Sequence, residues 1–350
     1  MLRTSPLLLC LVSACAAPEI LVDDTTPVRG DAAAMVAAPA CTRLSDAREI
    51  VPSDAMAMAG FDMARLRTTG VFTDLESVLR ADPDAADALA VADKCGVGPS
   101  TWEAMTMAAS DSGDIVLVLE APGLGRGATL DCLSSEIEAK TGAAPWTRTK
   151  ATCGSDLSLV GGDIGWAIDD DRIAFATPGW GKAVAARRTG SGKSVRAGRL
   201  AWAFGSVDVS KPVWFAVDVP GALKASVTGT SAEGVQRVGG AADLTKGLDV
   251  DVVAGFDRPA EASAAAKEIN AELGKAMLVA PMLGVPVGVL SGLSVKAKGK
   301  ELQMSAAISE ADLDALRDLA KDTLGLGAGA AHPTTPSPPR TRPKGPSSAI

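Results

Sequence analysis

Four methionines fall in two pairs, Met56-x-Met58 and Met105-x-Met107. In a strand, period-two spacing puts both members of a pair on one face. Paired thioethers suit Cu(I), a soft ion handled outside the cytoplasm. Methionine also fills irregular gaps in apolar cores, and that packing role is the expectation in a chain poor in aromatics. Asp169-Asp170-Asp171 is the densest acidic run. It reads as a solvated hairpin turn, with a weak Ca²⁺ site as the other reading. Gly123-Leu124-Gly125-Arg126-Gly127 follows a strand and precedes a helix, but its third glycine comes one position early for a dinucleotide loop. Gly190-Ser191-Gly192-Lys193-Ser194 matches the end of a phosphate loop, with Arg187 where the first glycine should stand. G-x-S-x-G and S-x-x-K are absent from the chain, so the familiar serine nucleophiles lack their local signatures. The single histidine, His332, sits in a Pro-rich stretch. Such a stretch cannot hold an imidazole in fixed geometry, which argues against histidine catalysis and His-rich metal sites. No cofactor is expected. Perturbed carboxylates leave no mark in a sequence, so a carboxylate-based enzyme stays as a second alternative.

The first residues describe a destination. Met1-Leu2-Arg3 is a short positive start, Leu7 to Val12 is apolar, and Ser13-Ala14-Cys15 follows. These are the parts of a signal peptide in order. The apolar run is too short to span a bilayer, which takes about 20 residues. An ordinary secretory cut or a cytosolic chain are the alternatives. Of the six cysteines, Cys10 leaves with the signal and Cys15 directly follows its small residues. Cys41, Cys95, Cys132 and Cys153 remain. Four cysteines in an exported chain suggest two disulfides, and the sequence does not choose among the three pairings. The pairing carried forward is Cys95–Cys132 and Cys41–Cys153. With no C-x-x-C, a thioredoxin-like or zinc-ribbon site is not expected.

Val12-Ser13-Ala14-Cys15 resembles the lipobox of bacterial lipoproteins, an aliphatic residue and two small ones before Cys. Cys95-Gly96 and the later Cys132-Leu133 resemble a pattern of uncharacterised bacterial lipoproteins. The resemblance implies lipid on the Cys15 thiol and an anchor in the cell envelope, the outer membrane ahead of the inner. It implies no activity.

The elements that carry these residues repeat. Asp114 to Glu120 reads as a strand leading to a helix that closes Glu136-Ile137-Glu138-Ala139-Lys140-Thr141-Gly142. Asp249 to Ala254 leads to a helix that closes Glu268-Ile269-Asn270-Ala271-Glu272-Leu273-Gly274. Each closing glycine sits where a helix C-cap wants positive φ. Strand-turn-strand patterns follow at 164–176 and 293–307, then helices from Trp180 to Arg188 and from Glu310 to Leu324. Met56 to Phe61 and Val213 to Val217 open the halves alike. The expected fold is α+β, two tandem related lobes, each a mostly antiparallel sheet with helices packed on one face. The expected segments are signal peptide 1–14, flexible tether 15–48, lobe one 49–190, basic linker 191–200, lobe two 201–325 and a disordered Pro-rich tail 326–350. Trp166, Trp180, Trp202 and Trp214 are expected to pack the lobes and their junction.

The 350-residue chain has 47% hydrophobic residues, ample for a sizeable core, and a net charge of −8. That acidity argues against nucleic acid as a partner. Lys182, Arg187, Arg188, Lys193, Arg196 and Arg199 make a local basic run without an acid. It reads as a solvated linker, or as a contact for anionic lipid or an envelope protein. The leading expectation is a non-catalytic, membrane-anchored binding or scaffold protein. A carrier of an apolar, lipid-like ligand between sheet and helices is the alternative.

Overall fold

The computed structural model of the protein describes residues 46–151, 153–221, 233–283 and 287–324. Those residues form an α+β fold around one antiparallel sheet of twelve strands. The strands are β1 (Ala57–Asp62), β2 (Ala104–Ala109), β3 (Ile115–Glu120), β4 (Trp146–Lys150), β5 (Ser155–Leu159), β6 (Ile164–Ala167), β7 (Arg172–Ala176), β8 (Val213–Asp218), β9 (Val235–Asp243), β10 (Leu248–Phe256), β11 (Leu293–Lys298) and β12 (Glu301–Ile308). Their spatial order is β11-β12-β10-β9-β8-β1-β2-β3-β7-β6-β5-β4. Outward from the middle, one side runs β1, β2, β3, β7, β6 and the other runs β8, β9, β10, β12, β11. The two sides use their strands in the same sequence order, with β5 and β4 added at one edge. They are joined, because β1 pairs directly with β8 and places Gly60 opposite Trp214.

The helices are α1 (Met63–Leu66), α2 (Gly70–Ala81), α3 (Pro83–Lys94), α4 (Gly127–Thr141), α5 (Pro178–Arg188), α6 (Ala203–Ser206), α7 (Pro259–Val279), α8 (Val287–Ser291) and α9 (Glu310–Leu324). Helices α4 and α7 lie on one sheet face. Leu130 of α4 packs with Leu157 and Ile173. In α7, Ala262, Ala265 and Ala266 recur at helical spacing and pack on Ala254, Phe256 and Leu302. The small methyl faces let helix and sheet approach closely, which suits a chain with few aromatics.

The other face is covered over β1–β3 and β6–β8 by α5, by residues 47–55 and by the stretch from Val195 to Val207. Ile50, Val51, Val184, Val195 and Leu200 pack there with Trp166, Trp180 and Trp214, all buried. Within the stretch expected as a solvated linker, 191–200, Val195 and Leu200 are buried in this core, whereas Lys193, Arg196 and Arg199 stay exposed.

Helix stops differ between the halves. Gly142 ends α4 at φ 81, and its N–H donates to the Glu138 carbonyl. Gly274 does not end α7, which runs on through Lys-Ala-Met-Leu-Val to Val279. No turn-former stands before Pro281, so helix-compatible residues carry the helix past the glycine.

Candidate binding surface

The centre of the second face is sealed by charge against aromatics. Asp46 accepts from Arg48 Nε at 2.7 Å and from Arg196 at 2.9 Å. The Arg48 guanidinium lies 5.8 Å from the Trp214 ring centroid, and Arg196 lies 4.6 Å from that of Phe204. Cation–π attraction and a shared carboxylate thus fix residues 46–48 over the β1–β8 seam. Burial alone would push the Asp46 carboxyl up; the hydrogen bonds from Arg48 outweigh it and hold it below the usual range.

Beyond Ala241 and Val253, which still join that core, the same face is open over β10–β12 among the described residues. Alternation sends Asp251, Gln303, Ser305, Ser294 and Lys296 outward there, where β1–β3 present Met58, Ala108, Val116 and Val118. A pocket of about 300 Å³ lies on it, lined by Asp208, Gly239, Asp251, Ser294, Lys296 and Ser305 among others. Gly239 is required at its inner wall, since a Cβ would sit 2.6 Å from Val207 and 2.9 Å from the Trp202 ring. Lys211 spans the rim, 2.7 Å from Asp251 and 3.2 Å from Asp249. Burial opposes its charge, but the bonds to Asp251 and Asp249 hold the ammonium above the ordinary lysine value. At the other rim Arg237 stacks 5.0 Å from the Trp202 centroid and pairs with Glu301 at 3.3 Å. The pocket's walls combine hydroxyls, an amide and a cation with Val207, Val252, Val253 and Met304; of its acids, Asp251 is paired with Lys211 and Asp208 accepts from Ser210. This suits recognition of a polar surface rather than an apolar ligand.

A second pocket of about 270 Å³ runs along α7, lined by Glu268, Ile269, Glu272, Leu273 and Ala276. It is apolar but shallow, and it lies on the helix rather than between helix and sheet.

The acids nearest to an active-site pattern gather elsewhere. Glu120 faces Arg172 across the β3–β7 pairing. Burial raises the Glu120 carboxyl above the usual range, although Arg172 pulls the other way. Arg172 is engaged by Asp169, whose Oδ2 accepts from its Nε at 2.8 Å. Burial opposes the charge on Asp169, but that bond keeps its carboxyl low. Neither pocket is lined by these residues.

The sequence candidates are scattered. Met58 faces the sealed side of β1, with Met56 in step, whereas Met107 lies opposite Ala59 and Met105 opposite Phe61 on the other face. The antiparallel register thus puts the sheet between the two methionine pairs, and they cannot share a Cu(I) ion. Among the described residues no cluster of His, Cys, Asp or Glu could hold a metal. The acidic turn is not simply solvated: Asp171 accepts from the Gly123 N–H at 2.7 Å, and the Gly125 N–H donates to the Asp170 carbonyl. The glycine loop is thus a seat for that turn. The basic run does not form one surface. Arg188 is buried and binds Asp156 and the Cys153 carbonyl. Arg187 donates to the Glu49 carbonyl at 2.8 Å, and Arg199 binds Asp111 and Asp218. Lys182 and Lys193 are exposed. Cys95 and Cys132 form a disulfide pinning α3 to α4. Cys153 is also disulfide-bonded; its expected partner Cys41, like Cys15, the signal peptide and the tail, lies outside the described residues. The open pocket itself was missed in the sequence. Its only signal was the polar alternation Ser294, Lys296, Gln303 and Ser305.

No known protein family matches this chain, and no curated protein matches it in sequence. Solved structures of TP0453 are similar in fold. Its crystal form III covers 80% of this chain and 100% of that chain, at 11% identity and a TM-score of 0.47. Crystal form I covers 79% and 98%, at 12% identity and a TM-score of 0.46. Fold likeness at this level carries no function with it.

Proposed function

We propose that the protein is an exported lipoprotein, held to an envelope membrane by lipid on Cys15, with a non-catalytic binding role. The observation that carries the binding role is the open half of the sheet. One half of that face is filled by apolar side chains, and the other presents Ser294, Lys296, Gln303 and Ser305 around a 300 Å³ pocket. A carrier of apolar ligand would need a dry cavity between the layers, whereas the two pockets described among these residues open at the surface. The partner is a polar surface of an envelope protein. The membrane attachment rests on the Val12–Cys15 motif.

The two parts are tested together in cells. Wild type should incorporate labelled fatty acid and fractionate with membranes, and Cys15→Ala should do neither. A photo-crosslinking residue at Gln303 should give a discrete adduct that one at exposed Lys182 does not. Equal membrane association of Cys15→Ala with no label on wild type would overturn the anchor. The same adducts from both crosslinking positions would overturn the open face.

A further inference from the structure

We propose that α2 and α3 form a hinged arm latched to the body by the Cys95–Cys132 disulfide, and that a dithiol reductant releases the arm while the sheet stays folded. The arm leaves the sheet after β1 and returns at β2. Those two strands pair with each other from Ala57–Ala109 to Asp62–Ala104, so the arm can swing without disturbing their ladder. Its two helices hold each other: Arg80 pairs with Glu76 of its own helix at 2.7 Å and with Asp93 of α3 at 3.0 Å. A unit with its own internal ties can open by itself. Among the described residues, its seat on the body is small. Phe72 packs with Met63, Leu66 and Phe61, and Leu89 and Val91 are buried, but Leu75 and Val78 stand exposed.

The fastening lies at the end of α3. Lys94 pairs with Glu136 at 2.7 Å and Asp87 with Lys140 at 2.9 Å, both reaching α4 across the surface. Exposed pairs of this kind add little. Cys95, the residue after α3, is bonded to Cys132 in α4, which Leu130 seats on the sheet. The bridge joins residues 37 apart and so removes much of the freedom an opened arm would gain. Glycines bracket the arm. Gly70 begins α2, and Gly96, at φ 76 with open space around it, follows the bridge. Release is thiol–disulfide exchange. A thiolate of the reductant attacks one sulfur of the bridge, and the S–S bond breaks to leave a mixed disulfide and one protein thiolate. The reductant's second thiol then displaces the other protein sulfur and closes the reductant's own disulfide. The protein gains the two electrons and two protons that the dithiol loses. Cys95 and Cys132 are both half-buried, so the attack needs no prior unfolding.

Hydrogen exchange on the full chain tests the latch. In Cys95→Ser combined with Cys132→Ser, the amides of residues 70–94 should exchange about 100-fold faster than in the parent, while those of β1–β3 and β7–β12 keep their rates. The Cys153 disulfide persists in that variant, so the change belongs to the latch. Parent treated with dithiothreitol should match the variant over 70–94. Lys140→Ala, which removes one ion pair and keeps the bridge, should leave the arm protected. An arm that stays protected in the serine variant or in the reduced parent overturns the proposal. So does an arm that Lys140→Ala frees as fully as the serine variant does. So, too, does a serine variant whose arm and sheet loosen together or that fails to fold, since the bridge would then support the whole body.

Discussion

Glu120 shows how a single carboxylate can cost stability beside an arginine. Its partner across the strands, Arg172, is already bound to Asp169, so burial prevails and the folded pKa rises. The folded state therefore disfavours the charged form more than the unfolded chain does. The penalty is present at neutral pH, shrinks as pH falls through the raised pKa, and is gone below the ordinary value of 4.5. Glu120→Gln should consequently raise unfolding free energy at pH 7 by up to about 1 kcal/mol. Urea titrations should show that gain disappearing near pH 4. A loss at pH 7 would mean that Arg172 depends on Glu120 after all. None of this was legible beforehand, because a carboxylate's environment is set by strands far apart in the chain. The methionine pairs teach the same lesson. Their spacing correctly places each pair on one face, but which face depends on the register between β1 and β2.

At the scale of elements, one motif has two outcomes. Both helices carry E-I-x-A-x-x-G, yet Gly142 takes φ 81 and ends α4, whereas Gly274 sits within α7. Neither has a neighbour within 4 Å of a built Cβ, so backbone conformation alone decides. Gly142→Ala should destabilise by about 1 kcal/mol, because alanine is strained at positive φ. Gly274→Ala should stabilise by about 0.5–1 kcal/mol, because helix-interior glycine is entropically costly. Thermal melts of the two variants should move in opposite directions; movement in the same direction would refute the assignment of caps. The hairpin strands β6, β7, β11 and β12 were legible from apolar runs broken by turn residues. β4 was not, since in Trp-Thr-Arg-Thr-Lys only Trp146 is shielded from solvent and no apolar face repeats. β9 was obscured by Gly239-Gly240, whose lack of side chains reflects contact with Trp202, Val207 and Phe215.

For the whole molecule, the repeated order of strands and helices could be read from the sequence. What could not be read was that both halves share a sheet. The β1–β8 pairing is long-range and leaves no periodic trace, and within the stretch that looked like a linker Val195 and Leu200 are anchored in the core. The seam makes a clear demand at Gly60, where a Cβ would lie 2.3 Å from the Trp214 ring. That ring is itself held beneath Arg48. Gly60→Ala should cost about 1–3 kcal/mol through overpacking. The loss should move one cooperative transition, seen alike by circular dichroism and by tryptophan emission. Two transitions, only one of them displaced, would show that the halves unfold independently. The clamp of Asp46 by Arg48 and Arg196 then has a mechanical meaning. Tension on the chain before residue 46 would enter the body at its midline, through the Pro52–Ser194 bridge and the Arg48 guanidinium over Trp214. It would not enter at the β4 or β11 edge, where strands could be peeled off one at a time. A pull applied at the midline would be shared between both halves of the sheet rather than unzipping it strand by strand.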